Sequence, residues 1–539
     1  MDFLTVNRHT NLTSEKKAEE SEELEVDNSK SVLLKIATLY AEQLMSDLTL
    51  EVGGKRYPAH RLILCASSEV FQVMLMNREW SEWRESRIVL QETPTAATVF
   101  PHFIKYFYTG QIKITYHSVL PLLSLADKYN VKDLVSLCLG YMAQHIAQAA
   151  KRGQLIAWMQ YTMACGHNEV AKACQNFVKW NLEWLWSDSD LSELEGETLV
   201  QLLQQSDLVL HNEMSLYQFV VRWLKQQRER LDSSDLTKDE LKVHWESLVA
   251  AVFSHIRFPM MCPNQLAKLL LCPLTQEHKD FFMERMAIAM SYQSGQYERV
   301  SDVQQTEAGR MLFTPRLYTE DTWGSVLGVD NFHSLPCYHT WTFIFSTRPS
   351  VADVAPQDKL TEWTVDLYPK GVWFRKSLLI VWAGTYDVPE VVLRTVRISI
   401  TCRNCPETFV DQYGEAEEPE QDVRVKIGIL VWGVQKGVEH VSSVIERVHR
   451  FSAQNRVLNI DGALDFDELN TPLYRPTASS PSPSPPPQVQ HKCSKCADVC
   501  ENPEPRHLLG PNKDQLRIQV VIMPLTNYCH VTAAETAHV

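Results

Sequence analysis

At 539 residues the chain exceeds what one hydrophobic core sustains, and at about 100–200 residues per domain it predicts roughly three domains. Lys and Arg number 52 against 66 Asp and Glu, and the resulting formal charge of −14 argues against nucleic acid and against an anionic membrane as main partners. No window approaches the ~18 apolar residues of a membrane span, the first thirty residues lack the basic-then-apolar order of a secretory leader, and free-thiol usage of the thirteen cysteines predicts the cytoplasm or nucleus.

Residues 1–30 are polar and acidic, with a run at Glu19-Glu20-Ser21-Glu22-Glu23, and read as a disordered arm. Leu33, Ile36, Tyr40 and Leu44 recur at helical spacing and predict a first helix ending near Met45. Leu48, Leu50 and Val52 then alternate with Thr49 and Glu51 up to Gly53-Gly54, a pair suited to a two-residue hairpin turn. A helix is expected from His60 to about Leu75, a strand over Arg87–Leu90, and a helix from Thr95 to Tyr108 that stops at Gly110. Helices over Val119–Tyr129 and Leu134–Ala150 complete a first domain, residues 31–150.

Residues 151–290 read as all-α: between Gln154 and Met290 apolar positions repeat every three to four residues, most plainly Leu216, Phe219, Val220, Trp223 and Leu224. The polar passage 291–310 reads as a linker. In 311–535, short β-branched and aromatic runs at Tyr338–Phe345, Trp363–Leu367, Val372–Trp382, Val391–Ile400 and Val423–Trp432 predict an antiparallel sandwich. An acidic loop (Gly414–Asp422) and a disordered Pro/Ser insert at about 476–490 interrupt it, and Leu516–Ile522 is expected to pair back as the last strand.

The segments Ser46–Leu50, Tyr57–Leu64, Ser67–Phe71, Tyr106–Gly110 and Leu125–Tyr129, followed by Ser206–Leu208, Phe219–Leu224 and His255–Met260, give the chain its family likeness. In this order it resembles BTB (POZ) proteins that carry a BACK domain, and its last third resembles a TRAF-like sandwich found in one branch of them, whose relatives include secreted scavenger-type glycoproteins. The resemblance implies an α+β BTB/POZ domain, an all-α BACK domain and a C-terminal antiparallel β-sandwich. It further implies a homodimer in which the helix bearing Leu33, Ile36, Tyr40 and Leu44 packs on the partner, with Asp47 and Arg61 meeting as acid and base near the dimer groove. Trp80-Ser81-Glu82 matches the motif with which family members contact the ubiquitin-ligase scaffold cullin-three; Tyr129 is assigned to the same contact, with Trp158–Gly166 as second-rank candidates. The alternative for Trp80 is packing on its own domain beside Trp83.

Cys402-x-x-Cys405 and Cys493-x-x-Cys496 have the pairwise spacing of zinc knuckles, and equally suit free thiols or a local redox pair. No zinc-protease, nucleophile-elbow or phosphate-loop motif occurs, so neither an enzyme nor a cofactor is expected. The leading reading is a homodimeric adaptor that joins cullin-three to an unidentified protein target through the C-terminal sandwich. A dimeric transcriptional or adhesive scaffold that recruits no cullin is the alternative.

Overall fold

The computed structural model of the chain describes residues 27–185, 193–233, 237–352, 360–372, 380–381, 384–385, 393–405, 422–470 and 506–525. It divides into two compact units, residues 1–139 and 140–539.

The first unit is built on a three-stranded sheet. Strands β1 (Leu48–Val52) and β2 (Lys55–Ala59) form the expected hairpin, and β3 (Arg87–Leu90) pairs parallel to β1 on its other side. Leu48, Leu50 and Val52 are buried, and Gly53 and Gly54 turn the chain at φ +56° and +77°, a pair of left-handed conformations that glycine adopts without a Cβ clash. Helix α1 (Ser29–Ala41) precedes the sheet and stops short of Met45, because Gln43 and Met45 take positive φ as the chain turns into β1. The helix expected from His60 is two helices, α2 (Arg61–Ser67) and α3 (Glu69–Met76). Ser68 between them is extended, at φ −145° and ψ 122°; its hydroxyl accepts from the Phe71 amide and donates to the Tyr129 carbonyl, so a buried side chain caps α3. Helix α4 (Pro94–Thr109) packs on α2 and on α5 (Val119–Lys128), running from the Thr93 cap to Gly110 at φ +62°.

The division between the units falls inside α6 (Lys132–Gln144), and α7 (Ile146–Lys151) follows it where one longer helix was expected. Beyond lie α8 (Leu155–Ala164), α9 (Asn168–Trp180), α10 (Leu182–Leu185), α11 (Gly196–Gln204), α12 (Glu213–Asp232) and α13 (Lys238–Phe253). The α12 stripe is buried as expected, and a capping box between Thr237 and Glu240 starts α13. Residues 291–310 are no open linker: helical segments Tyr297–Val300, Ser301–Gln305 and Glu307–Leu312 continue the domain, with Val300 fully buried and Gln293 donating to the Pro259 carbonyl at 2.7 Å.

Among the described residues the C-terminal sandwich has two four-stranded antiparallel sheets. One runs β14 (Val457–Ile460), β11 (Arg397–Cys402), β8 (Thr361–Tyr368), β7 (Trp341–Thr347); the other runs β13 (Val438–Phe451), β12 (Val423–Gln435), β15 (Leu516–Pro524), β6 (Gly324–Val329). Trp363, Val365, Ile398 and Ile400 from the first meet Ile427, Ile429, Ile518 and Val520 from the second in one core. The last strand does pair back, lying between β12 and β6. Strands β6, β13 and β14 were not foreseen; β13 is dense in polar residues because it is an edge. Most of the strand expected over Val372–Trp382, nearly all of the acidic loop, and the Pro/Ser insert lie outside the described residues.

Candidate functional site

Arg61 and Asp47 meet, though not as an ion pair of side chains. Asp47 Oδ1 accepts from the Arg61 backbone amide at 2.9 Å, at the start of α2. The Arg61 guanidinium turns elsewhere, donating to the carbonyls of Leu75 (3.3 Å), Glu82 (3.3 Å) and Glu85. One planar fork thus ties the end of α3 to the loop that carries Trp80 and Glu82.

On that loop Trp80 precedes a 3₁₀ turn, Ser81–Trp83, and is 49% exposed. Glu82 accepts from the Ser81 hydroxyl at 2.8 Å; its own amide, then that hydroxyl, hold its carboxyl below the usual range. Arg78 and Arg84 lie against the ring of Trp83, at 5.6 and 5.4 Å, and leave Trp80 free of them. Leu62, Val73 and Met76, on α2 and α3, are exposed too. Together these side chains place an aromatic and several apolar groups in solvent on one stretch of chain, which is what a protein partner can desolvate.

Tyr129 is not on this surface. It is buried, stacks on Phe71 at 4.6 Å and donates to Glu92 at 2.5 Å; burial, then Glu92, push its hydroxyl far above its ordinary range. Its role is to support α3 from beneath, so the assignment to a direct partner contact is corrected. Trp158, among the second-rank candidates, is likewise fully buried.

Helix α1 buries no residue completely. Val32, Leu33 and Leu34 along it, and Leu44 and Met45 after it, are largely exposed. Ile36 and Tyr40 are half-buried; Tyr40 stacks on Tyr108 at 4.8 Å, and burial pushes the Tyr108 hydroxyl up to about 12. The helix is therefore anchored by one face and bare on another.

Within the second unit the helical domain and the sandwich share a polar network that sequence reasoning missed. Arg316, just before β5 (Leu317–Tyr318), donates to Glu213 of α12 (3.2 Å) and to the carbonyls of Gln205 (2.5 Å), Leu203 (2.8 Å) and His255 (2.9 Å). Tyr318 donates to Glu213 at 2.7 Å, and the Arg257 amide does so at 2.8 Å. β5 pairs parallel with β4 (Val209–Leu210), and the buried Lys426 of β12 bonds Glu446 and the Ser206 carbonyl, both at 2.9 Å. Burial pulls Lys426 below its ordinary range while Glu446 opposes the shift. Gly428 completes the fit, since a Cβ there would lie 2.7 Å from Leu317. The sandwich is thereby keyed into the helical domain by groups that neither domain could leave buried alone. Arg257 sits inside the His255–Met260 motif, yet nothing in that motif names a partner as distant as Glu213.

Cys402 and Cys405 lie in the sandwich core, and burial pushes the Cys402 thiol up to about 12. Among the described residues no cluster of three or more His, Cys, Asp or Glu could hold a metal; Cys493 and Cys496 lie outside them.

Comparison with known proteins matches residues 37–146 to the BTB/POZ domain, 155–271 to the BACK domain ("BTB And C-terminal Kelch") and 313–526 to the BTBD17 TRAF domain. BTB/POZ domain-containing protein 17 of Homo sapiens is 28% identical over 370 residues, covering 66% of this chain and 70% of that protein. Its Xenopus laevis counterpart is 26% identical over 372 residues, covering 66% and 71%. Galectin-3-binding protein of Mus musculus is 23% identical over 353 residues, covering 65% of this chain and 58% of that protein.

Proposed function

From a chain that joins a BTB/POZ domain, a BACK domain and a TRAF-like sandwich, all of them protein-interaction domains, we propose a non-enzymatic homodimeric adaptor that presents a protein target to a cullin-three ubiquitin ligase. The observation that carries this reading is Trp80, half exposed on a loop whose Glu82 and Glu85 carbonyls Arg61 holds to the end of α3, in the same stretch of chain as the exposed Val73 and Met76. A large exposed aromatic on a held loop is the kind of side chain that a partner can desolvate as a binding hot spot. The bare face of α1 supports self-association, since a two-fold partner would cover the apolar side chains that the protomer leaves in water. Two protomers would offer two sandwiches to one target and raise its effective concentration. The nine described cysteines are all free, in keeping with a reducing cytoplasm or nucleus.

The test is capture of cullin-three by the full chain, wild type against Trp80→Ala/Glu82→Ala, with light scattering as a control for the dimer. Capture by the wild type and loss by a variant that is still dimeric supports the adaptor. Equal capture by both, or by neither, overturns the assigned contact; a dimer that captures nothing is the scaffold instead.

A further inference from the structure

Away from the Glu213 network, the helical domain and the sandwich touch along a second seam. The side-chain amide of Asn181, just past α9, acts as a short strand against the edge of β13: its Nδ2 donates to the Val441 carbonyl at 3.1 Å and its Oδ1 accepts from the Val441 amide at 2.8 Å. Next to this contact the ring of His440 packs on Phe177 of α9, with centroids 5.0 Å apart. His507, on the segment that returns from the insert, bonds Ser442 at 3.1 Å, and the same segment is tied to the β12–β13 hairpin where the Val434 amide donates to the Arg506 carbonyl at 2.7 Å. Gly433 leaves no slack, since a Cβ there would lie 2.6 Å from both the Arg506 carbonyl and Ser442 Oγ.

Two histidines therefore sit at the line where α9 meets the sheet edge, His440 on Phe177 of α9 and His507 on Ser442 of β13. Helix α7 packs on the same hairpin and carries one charged residue, the exposed Lys151. Arg506 adjoins His507 and opposes its protonation, and Glu468, from the helix Phe466–Asn470, favours it. On the hairpin Glu439 faces Arg517 at 3.8 Å, and Lys436 lies at the turn. Helix α9 brings Phe177 to the seam, and its Lys179 is engaged by Asp207 at 2.5 Å. Around His507 the carboxylate of Glu468 stands against the Arg506 guanidinium, and Glu439, beside His440, is engaged by Arg517. We propose that this seam is a pH-sensitive joint: when His440 and His507 take up protons in mildly acidic solution, the edge of β13 lets go of α9, while the Glu213–Arg316 network and the hydrogen bonds of Gln435 and the Lys436 carbonyl to Ala143, Ala147 and Gln148 still hold the sandwich.

The linkage has the matching sign. Burial lowers both imidazoles from their ordinary 6.5, with Val438 and His507 as smaller influences on His440 and Glu468 and Arg506 on His507. A group whose folded pKa lies below its unfolded value contributes its full stability above about 6.5 and loses it as pH falls, as the opened state binds the protons.

Hydrogen–deuterium exchange of the full chain between pH 7.5 and 5.5 tests this. After correction for the intrinsic rate, peptides spanning 168–181 and 438–443 are expected to lose protection, by about tenfold per pH unit for each linked proton, while α12 holds. In His440→Gln/His507→Gln the loss is expected to flatten, although His255 remains. Protection that does not change with pH, or that falls equally in the variant, overturns the joint. If the variant does not fold, side-chain exchange at each histidine of the wild type decides: values below 6.5 for both support the joint, and a value at or above it for either overturns it.

Discussion

Arg316 and Glu213 stand 3.2 Å apart with neither side chain exposed, one contributed by the segment leading into the sandwich and the other by a helix of the BACK domain. Each neutralises a charge that could not otherwise remain out of water, and Tyr318 and the Arg257 amide complete the shell of Glu213. Glu213→Ala would leave Arg316 buried beside Arg257 with no acid between them. The loss is expected to be about 3–5 kcal/mol, read as a lowered midpoint in urea unfolding of the full chain followed by tryptophan fluorescence. An unchanged midpoint would show that water or rearrangement satisfies the guanidinium.

The loop of Trp80 owes its shape to Arg61, so Arg61→Lys retains the charge and loses the fork. Amide exchange over residues 77–85 is expected to rise severalfold with α4 unaffected. Under the adaptor reading, cullin-three capture weakens in parallel. Capture at wild-type strength despite a loosened loop would mean that the partner does not read this loop.

For the bare face of α1, the paired change Leu33→Glu/Leu34→Glu puts charge on side chains that are half or more exposed. Little effect on folding of the first unit is expected, because neither residue is part of its core. Light scattering should report half the wild-type mass if α1 is the dimer contact. A variant that stays dimeric would move the interface elsewhere.

Thiol labelling separates core from surface. With its thiol pushed to about 12, Cys402 at pH 8 holds roughly one thiolate in ten thousand. Native protein should alkylate first at the exposed Cys165, Cys262 and Cys337, with Cys402 and Cys405 reacting only on unfolding. Prompt labelling of Cys402 would contradict its burial, and protection lost on treatment with a chelator would revive zinc.

Some of this molecule is legible because local chemistry dictates it. The alternation Leu48, Leu50, Val52 ahead of two glycines can close only as a hairpin with one buried face, and the α12 stripe can pack only one way. β13 was missed for a physical reason: an edge strand with one partner carries the mixed polar pattern VEHVSSVIERVHRF, which no period-two rule singles out. The break at Ser68 was hidden as well, since its cap depends on a Tyr129 carbonyl sixty-one residues away.

The amino-acid sequence by itself determined the first hairpin, the all-α middle and the sandwich class, each of which depends on periodicity or spacing within a few turns of chain, while resemblance to a family ordered the domains and singled out the Trp80 motif. Tertiary structure alone decided that Asp47 meets the Arg61 backbone amide while the guanidinium pins a loop, that Tyr129 is core, that residues 291–310 are helical packing, and that Arg316 keys the sandwich into the BACK domain. Those outcomes turn on which charge finds which partner once water is excluded, and a partner one hundred residues distant leaves no local pattern to read.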